Sequence, residues 1–134
     1  MPIRCLIVDD NASFRQEMHG LLEEQGIEVV GVAGSGADAL QQIAELQPDV
    51  ALIDIDLGGE SGLTLARRVH VTAARPVPHV ILISTYDETR FADLIEQSPA
   101  LGFLSKTDLS ATTIRRVLSY ATRGSSQSDS RRGT

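Results

Sequence analysis

The stretch PDVALIDIDLGG, residues 48–59, decides the fold of this chain. Residues 50–53 are apolar without alternation, so this strand is predicted to be buried on both faces, as in a parallel sheet covered by helices. The apolar run ends on Asp54, and glycines follow shortly after it. In such sheets ligands bind beyond the carboxyl ends of the strands, so Asp54 is predicted to be the reactive group.

The length and composition of the chain predict a single domain. It has 134 residues, 42% of them hydrophobic, which is enough for one core and too few for two ordinary domains. No apolar run approaches the roughly 20 residues of a membrane span, and the start of the sequence lacks the features of a signal peptide. We therefore expect a cytoplasmic protein. The single cysteine, Cys5, excludes an internal disulfide and is expected to be a core residue.

Strand-like and helix-like segments alternate five times along the chain. The predicted strands are residues 5–8, 27–33, 50–54, 80–84 and 103–104. The predicted helix caps are Asn11 or Ser13 for the first helix, Ser35 and Ser61 for the next two, and Ser110 for the last. This alternation predicts right-handed crossovers and an α/β fold with an open parallel sheet and helices on both faces.

Three other segments were assigned from composition. Residues 75–78, with two prolines, are predicted to form a loop. Residues 85–88 lead into a predicted helix that carries Phe91, Leu94 and Ile95. Residues 123–134 contain no apolar side chain and no periodicity, so they are predicted to be a disordered tail or the start of a linker. The predicted domain therefore covers residues 1–122.

Charged and hydroxyl side chains lie at or just past the ends of four of the five predicted strands. They are Asp9 and Asp10, Asp54, Ser84 and Thr85, and Lys106. Three carboxylates at one sheet edge would repel one another unless a cation neutralised them, and oxygen ligands favour Mg²⁺ or Mn²⁺ over zinc. A nucleophile, a metal, an ammonium and a hydroxyl are what phosphoryl transfer needs. Each residue alone would be read as a helix cap, a turn hydroxyl or a surface lysine; together they favour a metal site.

These residues resemble the receiver domain of two-component response regulators over about residues 3–122. The resemblance rests on the acidic pair Asp9-Asp10, the run at residues 48–54, the loop at residues 59–62, Ser84, and the run at residues 102–106. It implies a flavodoxin-like (βα)5 fold, a doubly wound parallel sheet with strand order 2-1-3-4-5.

The resemblance also implies a role for each site residue. Asp54 would accept a phosphoryl group from a histidine kinase, with Mg²⁺ bound directly by Asp10 and Asp54, through water by Asp9, and by the backbone carbonyl of Asp56. Lys106 would pair with the phosphoryl oxygens. Ser84 and Phe103 would then move as switch residues and repack the face formed by the fourth helix, fifth strand and fifth helix. The protein would catalyse its own phosphorylation and slow dephosphorylation without being a metabolic enzyme.

Three positions depart from the family pattern. Gly58 stands where proline is usual, Ser61 where aspartate is usual, and Thr107 where the family has a proline with a cis peptide bond. Asp56 adds a negative side chain two residues beyond the proposed acceptor. We expect from its charge that it alters the lifetime of the phosphorylated state.

Two alternative functions start from the same residues. Asp54-Ile55-Asp56 looks like the nucleophile motif of haloacid-dehalogenase-type phosphatases, but in that family the acidic metal pair follows the motif, whereas Asp9-Asp10 precede it here. The other alternative is a degenerate receiver that serves only as an interaction module. All the key positions are filled, which favours an active receiver.

The expected partners follow from charge and from the resemblance. A formal net charge of −6 argues against direct binding of nucleic acid or of a membrane by this domain. The resemblance implies a sensor histidine kinase or phosphotransfer protein as the donor, and an output domain or partner protein as the receiver of the signal. Residues 85–87 and 102–106 look like those of receivers that precede DNA-binding domains, which implies transcription regulation. A homodimer is also compatible with the sequence.

Overall fold

The computed structural model describes residues 2–72, 77–85 and 92–132, with side chains described as far as Ala121. The strands are β1 Arg4–Val8, β2 Glu28–Ala33, β3 Val50–Asp54, β4 His79–Ser84 and β5 Gly102–Ser105. The helices are α1 Ala12–Glu24, α2 Gly36–Leu46, α3 Gly62–Thr72, α4 Ala92–Gln97 and α5 Ala111–Arg132. A short 3-10 helix, Lys106–Asp108, follows β5.

The five strands form one parallel sheet in the order β2-β1-β3-β4-β5. The edge strands are β2 and β5, so β1, β3 and β4 occupy the interior of the sheet. The sheet order and the alternation of strands and helices are those predicted from the sequence, and the fold prediction is confirmed.

Two apolar layers cover the sheet. One packs α2, α3 and part of α4 against one face, and the other packs α1 and α5 against the opposite face. Along β3, Ala51 and Ile53 belong to the first layer, whereas Val50 and Leu52 belong to the second. Both faces of this strand are therefore covered by helices, which is why its sequence is continuously apolar. Among the described residues, no helix has the length and apolar character needed to span a membrane.

Helix caps lie where the sequence places them. The side chains that accept a hydrogen bond from a backbone amide of the first turn are those of Asn11, Ser35, Ser61 and Ser110. Each satisfies an amide that the helix itself leaves without a partner. The caps fix where each helix leaves the sheet edge and therefore where the loops of that edge run.

The end of α5 differs from the expectation for residues 123–134. Its backbone remains helical to Arg132, although no apolar periodicity continues beyond Ala121. Extending an existing helix costs much less than nucleating one, so an apolar face is not required for the backbone to continue. The boundary at residue 122 between domain and tail remains a prediction. The predicted loop at residues 75–78 lies partly outside the described residues, and Phe91 lies wholly outside them.

Candidate functional site

The candidate site lies at the carboxyl edge of the sheet. Val8 pairs with Ile53, so Asp9 emerges from β1 beside Asp54 at the end of β3. Lys106 follows β5, two strands farther along, and reaches back across the end of β4. The edge therefore brings together residues that are far apart in sequence, as the strand alternation predicts.

Asp9 is entirely buried, and its position is fixed from three directions. Its Oδ1 accepts a hydrogen bond from the backbone amide of Asn11 at 2.8 Å. Its backbone carbonyl accepts another from Nη1 of Arg15 at 2.7 Å, and its amide donates to the carbonyl of Ala33 at 3.0 Å. Its Oδ2 lies 2.6 Å from Nζ of Lys106. Apart from that ion pair, this buried oxygen has no hydrogen-bond partner in the described part of the chain.

Lys106 joins the two buried carboxylates. Its Nζ donates to Oδ2 of Asp54 at 3.0 Å while also contacting Asp9, and the side chain is only 13% exposed. The same ammonium lies 4.3 Å from the centroid of the Phe14 ring, within cation–π range. Burial by itself would lower the pKa of Lys106, but the two carboxylates outweigh it and the pKa is raised. Lys106 therefore stays charged.

Asp54 has a different environment on each carboxylate oxygen. Oδ1 accepts a hydrogen bond from the backbone amide of Asp56 at 3.0 Å, and Oδ2 accepts from Lys106. Burial raises the pKa of Asp54 to about 6, although the hydrogen bonds from Lys106 and Asp56 act to lower it. Near neutral pH the group is therefore mainly the carboxylate, which is the nucleophilic form.

A cation site lies beside Asp54. Asp9, Asp10 and Asp54 each offer one carboxylate oxygen, and these oxygens lie within 4.8 Å of one another. Asp9 and Asp54 are buried, whereas Asp10 faces solvent. Three clustered carboxylates are hard oxygen ligands, and this donor set fits a divalent cation of the Mg²⁺ type. The residues present therefore fit the predicted metal.

Asp56 does not join this group through its carboxylate. Its side chain is exposed, and its Oδ1 accepts a hydrogen bond from the amide of Gly58 at 3.1 Å. The predicted contribution of Asp56 to the metal was its backbone carbonyl, and this remains a prediction.

The remaining predicted residues, Ser84 and Phe103, lie on neighbouring strands. Ser84 ends β4 and is 2% exposed, and it pairs in register with Ser105 of β5. Phe103 is partly buried against the apolar layer of α2, α3 and α4. Their switch roles remain predictions.

The loop between β3 and α3 is a small hairpin, which the sequence did not reveal. Asp56 and Ser61 form an antiparallel bridge, and the amide of Leu57 donates to the carbonyl of Glu60 at 3.0 Å. Between them, Gly58 has φ +62° and Gly59 has φ +104°. Two consecutive positive φ angles are typical of a type I′ hairpin turn, which requires glycine or a similar residue. Proline, with φ near −65°, cannot occupy position 58 in this turn.

Three further residues support the site, and no individual role was predicted for any of them from the sequence. A Cβ at Gly62 would collide with the backbone carbonyl of Asp54, so only glycine lets α3 begin this close to the strand end. Phe14 of α1 lies with its ring against the Lys106 ammonium. Glu60 accepts a hydrogen bond from the amide of Gly36 at 3.1 Å and so ties the hairpin to the start of α2. Of these three residues, only Gly62 is marked by a sequence pattern, because it directly precedes the apolar stripe of a helix.

The comparisons with known proteins place the chain in a family. The model of the response regulator receiver domain matches residues 5–117. The chain therefore belongs to the response regulator receiver domain family. This agrees with the predicted resemblance, and it does not favour the phosphatase alternative.

Individual relatives and structures agree with this assignment. A protein-glutamate methylesterase/protein-glutamine glutaminase 5 of Myxococcus xanthus is 39% identical over 83% of this chain and 32% of its own length. The response regulator GacA of Pseudomonas viridiflava is 33% identical over 78% of this chain and 48% of its own length. The signal receiver domain of NarL from Mycobacterium tuberculosis has a TM-score of 0.76 at 33% identity, over 90% of this chain and 97% of that one. The chain thus spans less than half the length of these two curated relatives.

Proposed function

We propose that this receiver domain is phosphorylated on Asp54 by a phosphohistidine donor, with Mg²⁺ bound by Asp9, Asp10 and Asp54. A carboxylate oxygen of Asp54 would form the new P–O bond while the P–N bond of the donor breaks, and the departing imidazole would take up a proton. The observation that supports this most directly is the contact of Lys106 with Oδ2 of Asp54 at 3.0 Å beside three clustered carboxylates.

The chain's own residues would serve this reaction in separate ways. Lys106 would remain near the accepting carboxylate and neutralise charge on the equatorial oxygens of the phosphoryl group. The hydrogen bond from the Asp56 amide would orient the other oxygen of Asp54. The metal, when bound, would neutralise the remaining charge of the cluster and of the transferred group.

Signalling would follow from a change in population between two states. Ser84 and Phe103 would respond to the modified Asp54, and the surface of α4, β5 and α5 would differ between the states. Because the curated relatives are longer than this chain, we infer that the signal passes to an output domain or to a separate protein. A role in transcription regulation would require such an output.

The direct test is phosphotransfer from candidate histidine kinases to the wild type, Asp54→Asn and Asp56→Asn. Acetyl phosphate with Mg²⁺ provides a donor that needs no cognate kinase. We expect the wild type and Asp56→Asn to gain the mass of one phosphoryl group, and Asp54→Asn to gain none. Asp56→Asn is a matched control because it removes a carboxylate two residues away. Transfer to Asp54→Asn would refute the acceptor assignment, and no transfer to the wild type from any donor would favour a degenerate receiver.

A further inference from the structure

The backbone of Gly58 lies directly against the carboxylate of Asp10. A methyl group at position 58 would collide with Oδ2 of Asp10 and would lie 3.3 Å from its Cγ. This contact joins the tip of the β3–α3 hairpin to the loop after β1.

Asp10 is held differently from the other two carboxylates of the cluster. Asp9 and Asp54 accept hydrogen bonds from backbone amides and contact Lys106. Asp10 is exposed, and among residues 2–72, 77–85 and 92–132 no group donates a hydrogen bond to its carboxylate. The absence of a side chain at position 58 therefore leaves open the space in which the Asp10 carboxylate lies.

The hairpin fixes Gly58 in this place. Three features hold the turn against the carboxylate cluster. Gly58 has a positive φ, its amide donates a hydrogen bond to Oδ1 of Asp56, and Asp56 forms a bridge with Ser61. A side chain at position 58 would both strain the backbone and fill the space that the Asp10 carboxylate occupies.

We propose that Gly58 is a positioning residue for Asp10: because position 58 has no side chain, the Asp10 carboxylate can lie within reach of Asp9 and Asp54 for binding a divalent cation. A side chain at position 58 would displace the Asp10 carboxylate from this place, and cation binding would then have to restore it. This role rests on the proposed function of the site.

The test compares Gly58→Ala with Gly59→Ala. Both positions have positive φ, so both substitutions strain the turn, but a Cβ at position 59 meets nothing within 4 Å. Mg²⁺ affinity is measured by isothermal titration calorimetry on the unphosphorylated protein. We expect Gly58→Ala to weaken Mg²⁺ binding by about ten-fold or more, as for loss of other groups that orient metal ligands, and Gly59→Ala to have a much smaller effect. Equal effects of the two substitutions would overturn the proposal.

A second measurement needs no metal. In the presence of EDTA, the urea midpoint of Gly58→Ala is compared with that of Gly59→Ala, first in the wild-type background and then in Asp10→Ala. We expect Gly58→Ala to lower the urea midpoint more than Gly59→Ala does, and we expect this difference to disappear when the Asp10 carboxylate is absent. An unchanged difference would show that Gly58 does not act through Asp10.

The two measurements separate this proposal from the proposed function. If the wild type binds no Mg²⁺, the proposed function fails, and the role of Gly58 in metal binding fails with it. The urea experiment would still decide whether Gly58 restrains Asp10. If Mg²⁺ and phosphoryl transfer are normal but the two glycine variants behave alike, only the role of Gly58 is refuted.

Discussion

Cys5 and Asp9 lie four residues apart, within β1 and just beyond its end, and both are 0% exposed. Cys5 is surrounded by apolar side chains of the α1 and α5 layer, and its thiol is neutral, with burial raising its pKa to about 12. Asp9 is as deeply buried but contacts the ammonium of Lys106 and accepts a backbone hydrogen bond. The sheet centre therefore holds an uncharged thiol, whereas the sheet edge holds a buried carboxylate whose charge is compensated by an ammonium.

Within the described part of the chain, one ammonium compensates both buried carboxylates of the edge. Lys106 is the only lysine in the chain, and it contacts both buried carboxylates. Three clustered carboxylates with one ammonium leave a negative excess, which a divalent cation would reduce. The proposed cation site therefore lies where buried charge is incompletely compensated, whereas the sheet centre is covered by apolar side chains on both faces.

The largest expected effect comes from removing the shared cation. Lys106→Met leaves Asp9 and Asp54 buried without their counter-charge, and we expect a loss of about 3–5 kcal/mol in the free energy of unfolding. Urea denaturation in EDTA near neutral pH measures this loss. The control is Arg116→Met, which removes an exposed cation of α5 and should change stability by less than about 0.5 kcal/mol.

Mg²⁺ sharpens this prediction. If Lys106→Met is destabilised because its carboxylates are uncompensated, added Mg²⁺ should restore part of its free energy of unfolding. Mg²⁺ should stabilise Arg116→Met no more than it stabilises the wild type. A loss for Lys106→Met no larger than that for Arg116→Met would contradict the view that the edge is compensated by this ammonium.

A smaller effect is expected from the sheet centre at alkaline pH. The pKa of Cys5 is raised to about 12 in the folded state, while in the unfolded chain it is ordinary. Above the unfolded pKa the folded state holds the proton and the unfolded state releases it, so stability falls as pH rises. The free energy of unfolding then falls with a slope that approaches about 1.4 kcal/mol per pH unit.

Urea denaturation between about pH 8 and about pH 10 compares the wild type with Cys5→Ala, which lacks this group. We expect the wild type to lose its advantage over Cys5→Ala as the pH rises. Parallel pH profiles for the two proteins would show that the thiol ionises equally in both states, and the contrast between centre and edge would not hold for this residue.

The smallest effect on stability is expected at the exposed loop. Asp56→Asn keeps an oxygen that can accept from the Gly58 amide, so we expect a change in stability within about 0.5 kcal/mol. The dephosphorylation rate should change, because a charge two residues from the acceptor is removed. Dephosphorylation of purified phosphorylated protein is followed by mass spectrometry for both chains, and equal rates would refute the role of this charge.

The fold was largely readable from local sequence. Continuous apolar runs predicted strands that helices cover on both faces, and the cap residues Asn11, Ser35, Ser61 and Ser110 marked helix starts correctly. These signals are local, because propensity, capping and periodicity act within a few residues. The helical backbone of residues 123–132 was not predicted, since it has no apolar face to reveal it.

The site was readable in part. Asp9, Asp10, Asp54 and Lys106 were selected because they follow strand ends, and the structure brings them together. The hairpin in residues 56–61 could not be inferred, because glycine permits many loop conformations and only its neighbours select one. The contact of Phe14 with Lys106 joins residues ninety-two positions apart, and no local pattern in the sequence encodes it.

By itself the sequence determined the parallel sheet, the caps of its helices and the set of charged residues at the strand ends, because each of these depends on residue type and short-range spacing. Only the tertiary structure decided which carboxylate oxygens Lys106 contacts, that Asp9 is fully buried while Asp10 is exposed, and that Gly58 lies against Asp10. These features depend on distances of a few ångströms between segments that are remote in sequence, and packing of the whole sheet and its helices sets those distances.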